Sequence, residues 1–342
     1  MPEPNLTSVQ PEYETARVEA VRGALISWFR ENGRDLPWRR TRDPYRILVS
    51  EVMLQQIQVK RAVPFYLAFL ERFPTVEALA GAPIAEAIRV WGDLGRYRRV
   101  VNLHKTAGIL VEQFGGEVPS DPAALVKLPG VGPYTAGAVA CFAFEKDVAF
   151  VDTNIRRVLH RLFLGVEVPQ PSVPEAEILG LAESLVPQGH GWEWNQSVME
   201  LGALVCTARQ PRCGPCPVSN VCRARASIPS ASAGQPRAAK AGTAYRYEDS
   251  NRFYRGRVLA RLRAAPEEGV ALRELGAGLR EGFTDEDLPW IESVVYSLEK
   301  DGLAATSGER PTPPAVAEDR PAHGAAAGGE EDGAGGMRVR LP

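Results

Sequence analysis

Leu128-Pro-Gly-Val-Gly-Pro-Tyr-Thr-Ala136 sets two glycines and two prolines between segments whose apolar residues repeat at helical spacing. Glycine accepts the left-handed backbone of a tight turn, and Pro133 is pre-set for the first residue of a following helix. The string reads as helix, short turn, helix. Such a turn leaves backbone N–H groups and a helix N-terminus facing outward, which can hold an anion without a basic side chain. The same string also suits a plain helix cap followed by a helix start.

Outward from this turn the helical reading continues. Val18, Val21, Leu25, Trp28 and Phe29 form one apolar face at three- and four-residue spacing. Asp43-Pro44 caps a helix over Tyr45 to Gln56, Thr75 and Asp121-Pro122 open two more, and Gly115-Gly116 closes one running from about Tyr97. Strand signals are scarce, so the first two-thirds of the chain is expected to be all-α. Residues 1–15 carry neither the basic region nor the apolar core of a secretory signal and are expected to be disordered. The best apolar run, Ala138 to Phe144, falls far short of the roughly 18 residues of a membrane helix. A cytoplasmic protein without membrane contact is expected.

The C-terminal third is organised differently. A Ser-, Ala-, Pro- and Gly-rich linker occupies residues 228–250, and three short helices follow at 251–263, 271–279 and 285–300. Residues 311–336 hold 17 Ala, Gly or Pro out of 26, too few large apolar side chains to offset the entropy of ordering, so they are expected to be disordered. Met337-Arg-Val-Arg-Leu-Pro342 alternates like a strand. Pairing it with Leu303 to Thr306 closes a winged-helix-like α+β domain of residues 251–310 and 337–342.

Four of the five cysteines fall in a Cys206-x6-Cys213-x2-Cys216-x5-Cys222 cluster, with Pro211, Gly214, Pro215 and Pro217 supplying turns. Four thiols this close in sequence point to a metal rather than to disulfides. Iron–sulfur and zinc are both chemically allowed, and the spacing departs from the paired Cys-x2–4-Cys of common zinc sites, which favours a [4Fe–4S] cluster. Cys141, alone in an apolar run, reads as a core residue.

Two acids have surroundings unsuited to a solvated face. Glu51 sits in Ile47-Leu-Val-Ser-Glu-Val-Met-Leu54, where an unpaired carboxylate is costly and its pKa should rise. The alternative is a buried ion pair with Arg40 or Arg46. Asp152 follows Ala149-Phe-Val151 and precedes Thr153-Asn154 and a helix, so it either caps that helix or takes part in chemistry. Two carboxylates driven toward different pKa values is a pattern of acid chemistry on a glycosidic bond.

Taken in order, Leu36-Pro-Trp38, Asp43-Pro-Tyr45, Ser50-Glu-Val-Met-Leu-Gln-Gln56, Asn102-Leu-His-Lys105, the hairpin string, Val151-Asp152, Met199-Glu-Leu-Gly-Ala203 and the four cysteines are highly specific. Over roughly residues 17–226 the chain resembles the adenine DNA glycosylase (MutY) branch of the helix–hairpin–helix DNA glycosylase superfamily. The resemblance implies a six-helix domain at 41–148 and an iron–sulfur cluster domain formed by 16–40 and 149–227. It implies a monomer acting on double-stranded DNA with a mismatched or damaged pair, the target nucleotide flipped out of the stack. Glu51 would be the general acid for the departing purine and Asp152 the stabiliser of a positively charged sugar, with Tyr134 and Asn154 completing the catalytic set. Leu54, Gln55, Gln56, Arg39, Tyr97, His104, Gly130, Gly132 and Thr135 would contact DNA or the bases, and the four cysteines would hold the [4Fe–4S] cluster. Plain sequence reads Leu54 as a core residue.

Tyr134 stands where bifunctional members such as endonuclease III carry a Schiff-base lysine, so base excision without strand cleavage is expected. Ile57, Arg96 and Thr153 depart from the branch's usual residues, and the C-terminal region does not resemble the hydrolase-like domain with which many members recognise 8-oxoguanine. The implied activity is removal of adenine paired with 8-oxoguanine or guanine. The alternatives are a mismatch thymine or uracil glycosylase, or a non-catalytic iron–sulfur DNA-binding redox sensor. The net charge of −2 excludes neither DNA nor any other partner, because it averages uneven segments. From Cys206 to Arg263 there are 12 Lys or Arg against two acids, which extends the expected DNA footprint to Arg252, Arg255, Arg257 and Arg261.

Overall fold

The structure is a computed structural model that describes residues 11–166, 173–228, 247, 250–308 and 336–342. The chain forms two compact units, one of residues 1–59 with 117–240 and one of residues 60–116 with 241–342. This division runs through the stretch 41–148 that the sequence reading treats as one six-helix domain.

The helices in chain order are α1 (Pro11–Asn32), α2 (Pro44–Leu54), α3 (Val59–Arg72), α4 (Val76–Ala80), α5 (Ile84–Trp91), α6 (Arg98–Phe114), α7 (Pro122–Leu125), α8 (Pro133–Phe144), α9 (Thr153–Leu159), α10 (Glu175–Leu185) and α11 (Gly191–Leu204). Asp43 caps α2 by accepting from the Tyr45 and Arg46 backbone N–H groups, Thr75 caps α4 and Asp121 caps α7. Two boundaries differ from the sequence reading. Helix α1 begins at Pro11, inside the stretch expected to be disordered, and a proline suits the first turn of a helix. Helix α2 ends at Leu54 rather than Gln56, since Gln56 adopts a left-handed φ of 59°.

In the first unit α2 packs on α8, α1 on α11, and α9 on α11. Helix α9 runs on into a π-helical turn at His160–Leu164. In the second unit α4 and α5 pack on α6. That unit also holds α12 (Asn251–Ala264), β1 (Val270–Ala271), α13 (Leu272–Ala277), α14 (Leu288–Lys300), β2 (Ala305–Ser307) and β3 (Arg338–Arg340). Strand β3 lies between β1 and β2, antiparallel to both, with Val339 opposite Val270 and Thr306. The alternation in the last residues does make a strand, and Val339 and Leu341 are buried. The two-residue β1 is too short to leave a period in the sequence.

Within this region Arg255 donates to Ser297 and Asp301, Arg261 donates to the Gly278 carbonyl, and Arg257 lies over the Phe253 ring. Charge counting alone placed these side chains on DNA, but Arg255 and Arg261 are engaged by their own domain. The linker residues other than Ile228, Tyr247 and Ser250, and residues 311–335 of the expected insertion, lie outside the described residues. Among the described residues no helix is long and apolar enough to cross a membrane.

Candidate active site

The hairpin takes the form its sequence dictates. Gly130 adopts φ 77°, the Val131 N–H donates to the Leu128 carbonyl, and Gly132 in extended backbone caps α8. Helix α8 starts at Pro133, so Tyr134 and Thr135 stand in its first turn. Thr135 is buried, and the Gln55 side-chain amide approaches both its hydroxyl and the Gly130 carbonyl at 3.4 Å. The residues after α2 thus lie against the hairpin.

Glu51 is buried on α2, and the Tyr134 phenol donates a hydrogen bond to its carboxylate. Neither Arg40 nor Arg46 reaches it, as Arg40 pairs with Asp35 and Arg46 with Asp43. Burial pushes the Glu51 pKa up to about 7, with the Tyr134 bond and Arg39 lowering it and the nearby Asp152 charge raising it. The Tyr134 hydroxyl is itself pushed well above its ordinary value, first by burial and then by Glu51 and Asp152.

Asp152 caps α9, accepting from the Asn154 backbone at 2.9 Å, the Ile155 backbone at 2.7 Å and the Asn154 side-chain amide at 2.9 Å. Capping and chemistry are not exclusive, because the same three donors fix a carboxylate that remains half-exposed. Two glycines let its neighbours approach. A Cβ at Gly137 would sit 2.8 Å from the Phe150 Cβ, and one at Gly202 would sit 2.9 Å from the Asn154 Cβ. Phe150 in turn meets the Tyr134 ring edge-on at 5.3 Å. Gly137 and Gly202 therefore bring residues 150–154 against α8 and α11, a role the sequence reading missed because a glycine inside a helix reads only as a weak helix former.

Arg39, expected at DNA, points inward. It donates to Glu200 at 2.8 Å, Gln196 at 2.8 Å and the Arg34 carbonyl at 2.9 Å. Glu200 is fully buried and also accepts from Arg34, and although burial opposes ionisation these arginines bring it down to about 2. Leu54 is half-buried and Gln56 exposed. Tyr97 and His104 belong to the second unit, where the Tyr97 hydroxyl donates to the Gly92 carbonyl at 2.8 Å and His104 meets the Ala82 carbonyl at 2.8 Å.

Cys206, Cys213, Cys216 and Cys222 line one cavity with Arg161, Leu162, Leu201 and Val205 among its other walls. None of the described cysteines is in a disulfide. Among the described residues no three His, Cys, Asp or Glu side chains are drawn together to hold a single metal ion. Arg161 donates to the Cys206 sulfur at 3.4 Å and to the Thr207 carbonyl at 2.8 Å, and the Arg223 and Ala224 backbones bond back to Leu162 and Arg161. Burial, then the neighbouring Cys206, Cys222 and Cys213, push the Cys216 thiol up to about 11. Four thiols lining one cavity suit a metal centre that would hold them as thiolates, and Arg161 is placed to complement their negative charge. Cys141 lies apart in the core, in contact with the Asn195 amide at 3.4 Å.

Residues 49–183 match the family described as HhH-GPD superfamily base excision DNA repair protein. Over 240 residues the chain is 44% identical to the adenine DNA glycosylase of Mycolicibacterium smegmatis, covering 70% of this chain and 79% of the relative. The chain belongs to the adenine DNA glycosylase branch of the HhH-GPD superfamily. It is 41% identical over 224 residues to the human adenine DNA glycosylase, which is 63% of this chain but 41% of that larger protein. Among solved structures it is similar to a thermostable thymine-DNA glycosylase, with TM-score 0.58 and 32% identity over 62% of this chain and 98% of that one. It is also similar to an endonuclease III bound non-covalently to DNA, with TM-score 0.52 and 25% identity over 60% and 95% of the two chains. Membership of this family gives the all-α helix–hairpin–helix fold and DNA N-glycosylase activity.

Proposed function

We propose that this protein is a monofunctional DNA glycosylase of base excision repair that hydrolyses the N-glycosidic bond of adenine paired with guanine or 8-oxoguanine. The observation that carries the reading is the buried Glu51, held by Tyr134 and raised to about 7, beside the fixed Asp152. A carboxyl half-protonated near neutral pH can both give and take a proton. Glu51 protonates the departing purine as the C–N bond breaks. Asp152 stabilises the positive charge that develops on the sugar, and Asn154 holds its carboxylate in place. Water adds to the sugar and returns a proton to Glu51. Tyr134 offers no amine for a Schiff base, so the abasic strand stays intact.

The hairpin N–H groups would hold DNA phosphates, and Leu54, Gln55, Gln56 and Tyr97 would probe the gap left by the flipped base. Cys206, Cys213, Cys216 and Cys222 would hold a [4Fe–4S] cluster. Bound there, the cluster would supply a structural cross-link rather than electrons, since hydrolysis transfers none. Iron and sulfide near four atoms of each per chain are expected after anaerobic purification, and stoichiometric zinc without iron would overturn the assignment.

Single-turnover assays with A, T, U or hypoxanthine opposite G or 8-oxoguanine test the substrate. Release of adenine in preference to the other bases is expected. Preferential release of thymine would favour the second reading, to which the likeness to a thymine-DNA glycosylase lends support.

A further inference from the structure

The second unit contains an arrangement that the proposed chemistry does not use. The segment 92–97, which ends in Tyr97, carries three left-handed residues, Gly92 at φ 57°, Gly95 at φ 77° and Arg96 at φ 51°. Two are glycines, but Arg96 holds a conformation unfavourable for a residue with a Cβ. Something must hold this backbone. Part of the restraint is local, from Trp91 Nε1 donating to the Gly95 carbonyl at 2.9 Å and Arg99 Nη2 donating to the same oxygen at 3.2 Å.

The remainder comes from the C-terminal region. Arg263, near the end of α12, is mostly buried and forms an ion pair with Asp93, while its guanidinium lies over the Tyr97 ring at 5.8 Å from the centroid. A Cβ at Gly92 would lie 3.7 Å from Arg263 Nη1. Beyond Tyr97 along the chain, Asp301 after α14 pairs with Arg98 at 3.8 Å, and a Cβ at Gly302 would touch Val101 at 3.6 Å. Residues of the last domain thus contact the chain both before and after Tyr97. The Arg263 Nε is buried without a hydrogen-bond partner, a local cost that a purely stabilising arginine would not be expected to carry.

We infer that Arg263, seconded by Asp301, is a positioning residue that holds the 92–97 segment and presents Tyr97, making the C-terminal domain a brace for that segment. The consequence for catalysis rests on the proposed role of Tyr97 at the DNA. Asp93 and the face of the Tyr97 ring hold the guanidinium, so Arg263 is not a phosphate ligand.

The test compares Arg263→Ala, Arg263→Lys and Asp301→Asn in the full chain. Hydrogen exchange would follow amides 92–98, and single-turnover excision from a duplex with A opposite G would follow chemistry. Arg263→Ala is expected to speed exchange in 92–98 and slow excision roughly tenfold, as slight misplacement of a positioned group does. Arg263→Lys, which keeps the charge facing Asp93, should restore part of both, and Asp301→Asn should give a smaller change of the same sign. Unchanged exchange in both Arg263→Ala and Asp301→Asn overturns the brace, whatever happens to excision. If Arg263→Ala proves too unstable to measure, Asp301→Asn alone decides. Faster exchange with full excision, together with a fully active Tyr97→Ala, leaves the brace standing and refutes only the role proposed for Tyr97.

Discussion

Glu51 and Glu200 are both glutamates buried in the first unit, yet they differ in how readily they hold a proton. Glu200 receives the guanidinium groups of Arg34 and Arg39 and is held down to about 2, so it is an anion at neutral pH. Glu51 receives one phenol and faces a second acid, and burial lifts it to about 7. Burial alone therefore does not determine what a carboxylate does. Its hydrogen-bond donors and nearby charges decide whether it becomes a fixed structural charge or a group that can exchange protons. Arg39 connects the two, since it is bound to Glu200 while its charge also lowers Glu51.

The comparison breaks most visibly in activity. Glu51→Gln keeps shape and hydrogen-bonding capacity but cannot give a proton, so single-turnover excision should fall by a factor on the order of a thousand while duplex binding persists. Near-normal turnover by this variant would remove Glu51 from the chemistry. In stability the larger effect lies at the other carboxylate. Glu200→Ala leaves Arg34 and Arg39 facing a buried gap and should cost about 3–5 kcal/mol in denaturant unfolding. A loss below 1 kcal/mol would mean that the pair contributes little.

The two groups also give stability opposite slopes with pH. The folded pKa of Glu200 lies below the ordinary glutamate value of 4.5, so its contribution is present above 4.5 and is lost as pH falls toward about 2. The folded pKa of Glu51 lies above that value, so its contribution is present below 4.5 and is lost as pH rises toward about 7. Each shift corresponds to roughly 3 kcal/mol at most. Glu51→Gln should therefore raise stability above pH 7 but not at pH 4, and equal effects at both pH values would contradict the buried-acid reading. The smallest expected effect is that of Tyr134→Phe. Because the phenol bond lowers the Glu51 pKa, its removal should move the alkaline limb of the excision profile upward; a downward move would show that Tyr134 does not bond the ionised form.

Much of this pair was half legible. Glu51 stands out in the sequence because its own helix is apolar around it, and the hairpin is legible because Gly130, Gly132 and Pro133 act locally. Glu200 gives no such sign, since Arg34 and Arg39 lie more than 150 residues away and only the fold brings them together. Gly202 gave no sign either, because its part lies in the close approach of Asn154, and Arg39, assigned to DNA by the resemblance, is held by Glu200 and Gln196. The local count of cations that extended the DNA footprint to Arg255 and Arg261 could not show that Asp301 and the Gly278 carbonyl engage them, because counting cations says nothing about their partners. The closing strand, by contrast, followed from alternation in six residues.

The rate of adenine release from a duplex with A opposite G, measured in single turnover from pH 5 to 9, probes the state of Glu51 most directly. With Glu51 as the buried acid the rate falls as pH rises through about 7, as the carboxyl loses its proton. A rate that stays flat, or rises, to pH 9 would contradict it.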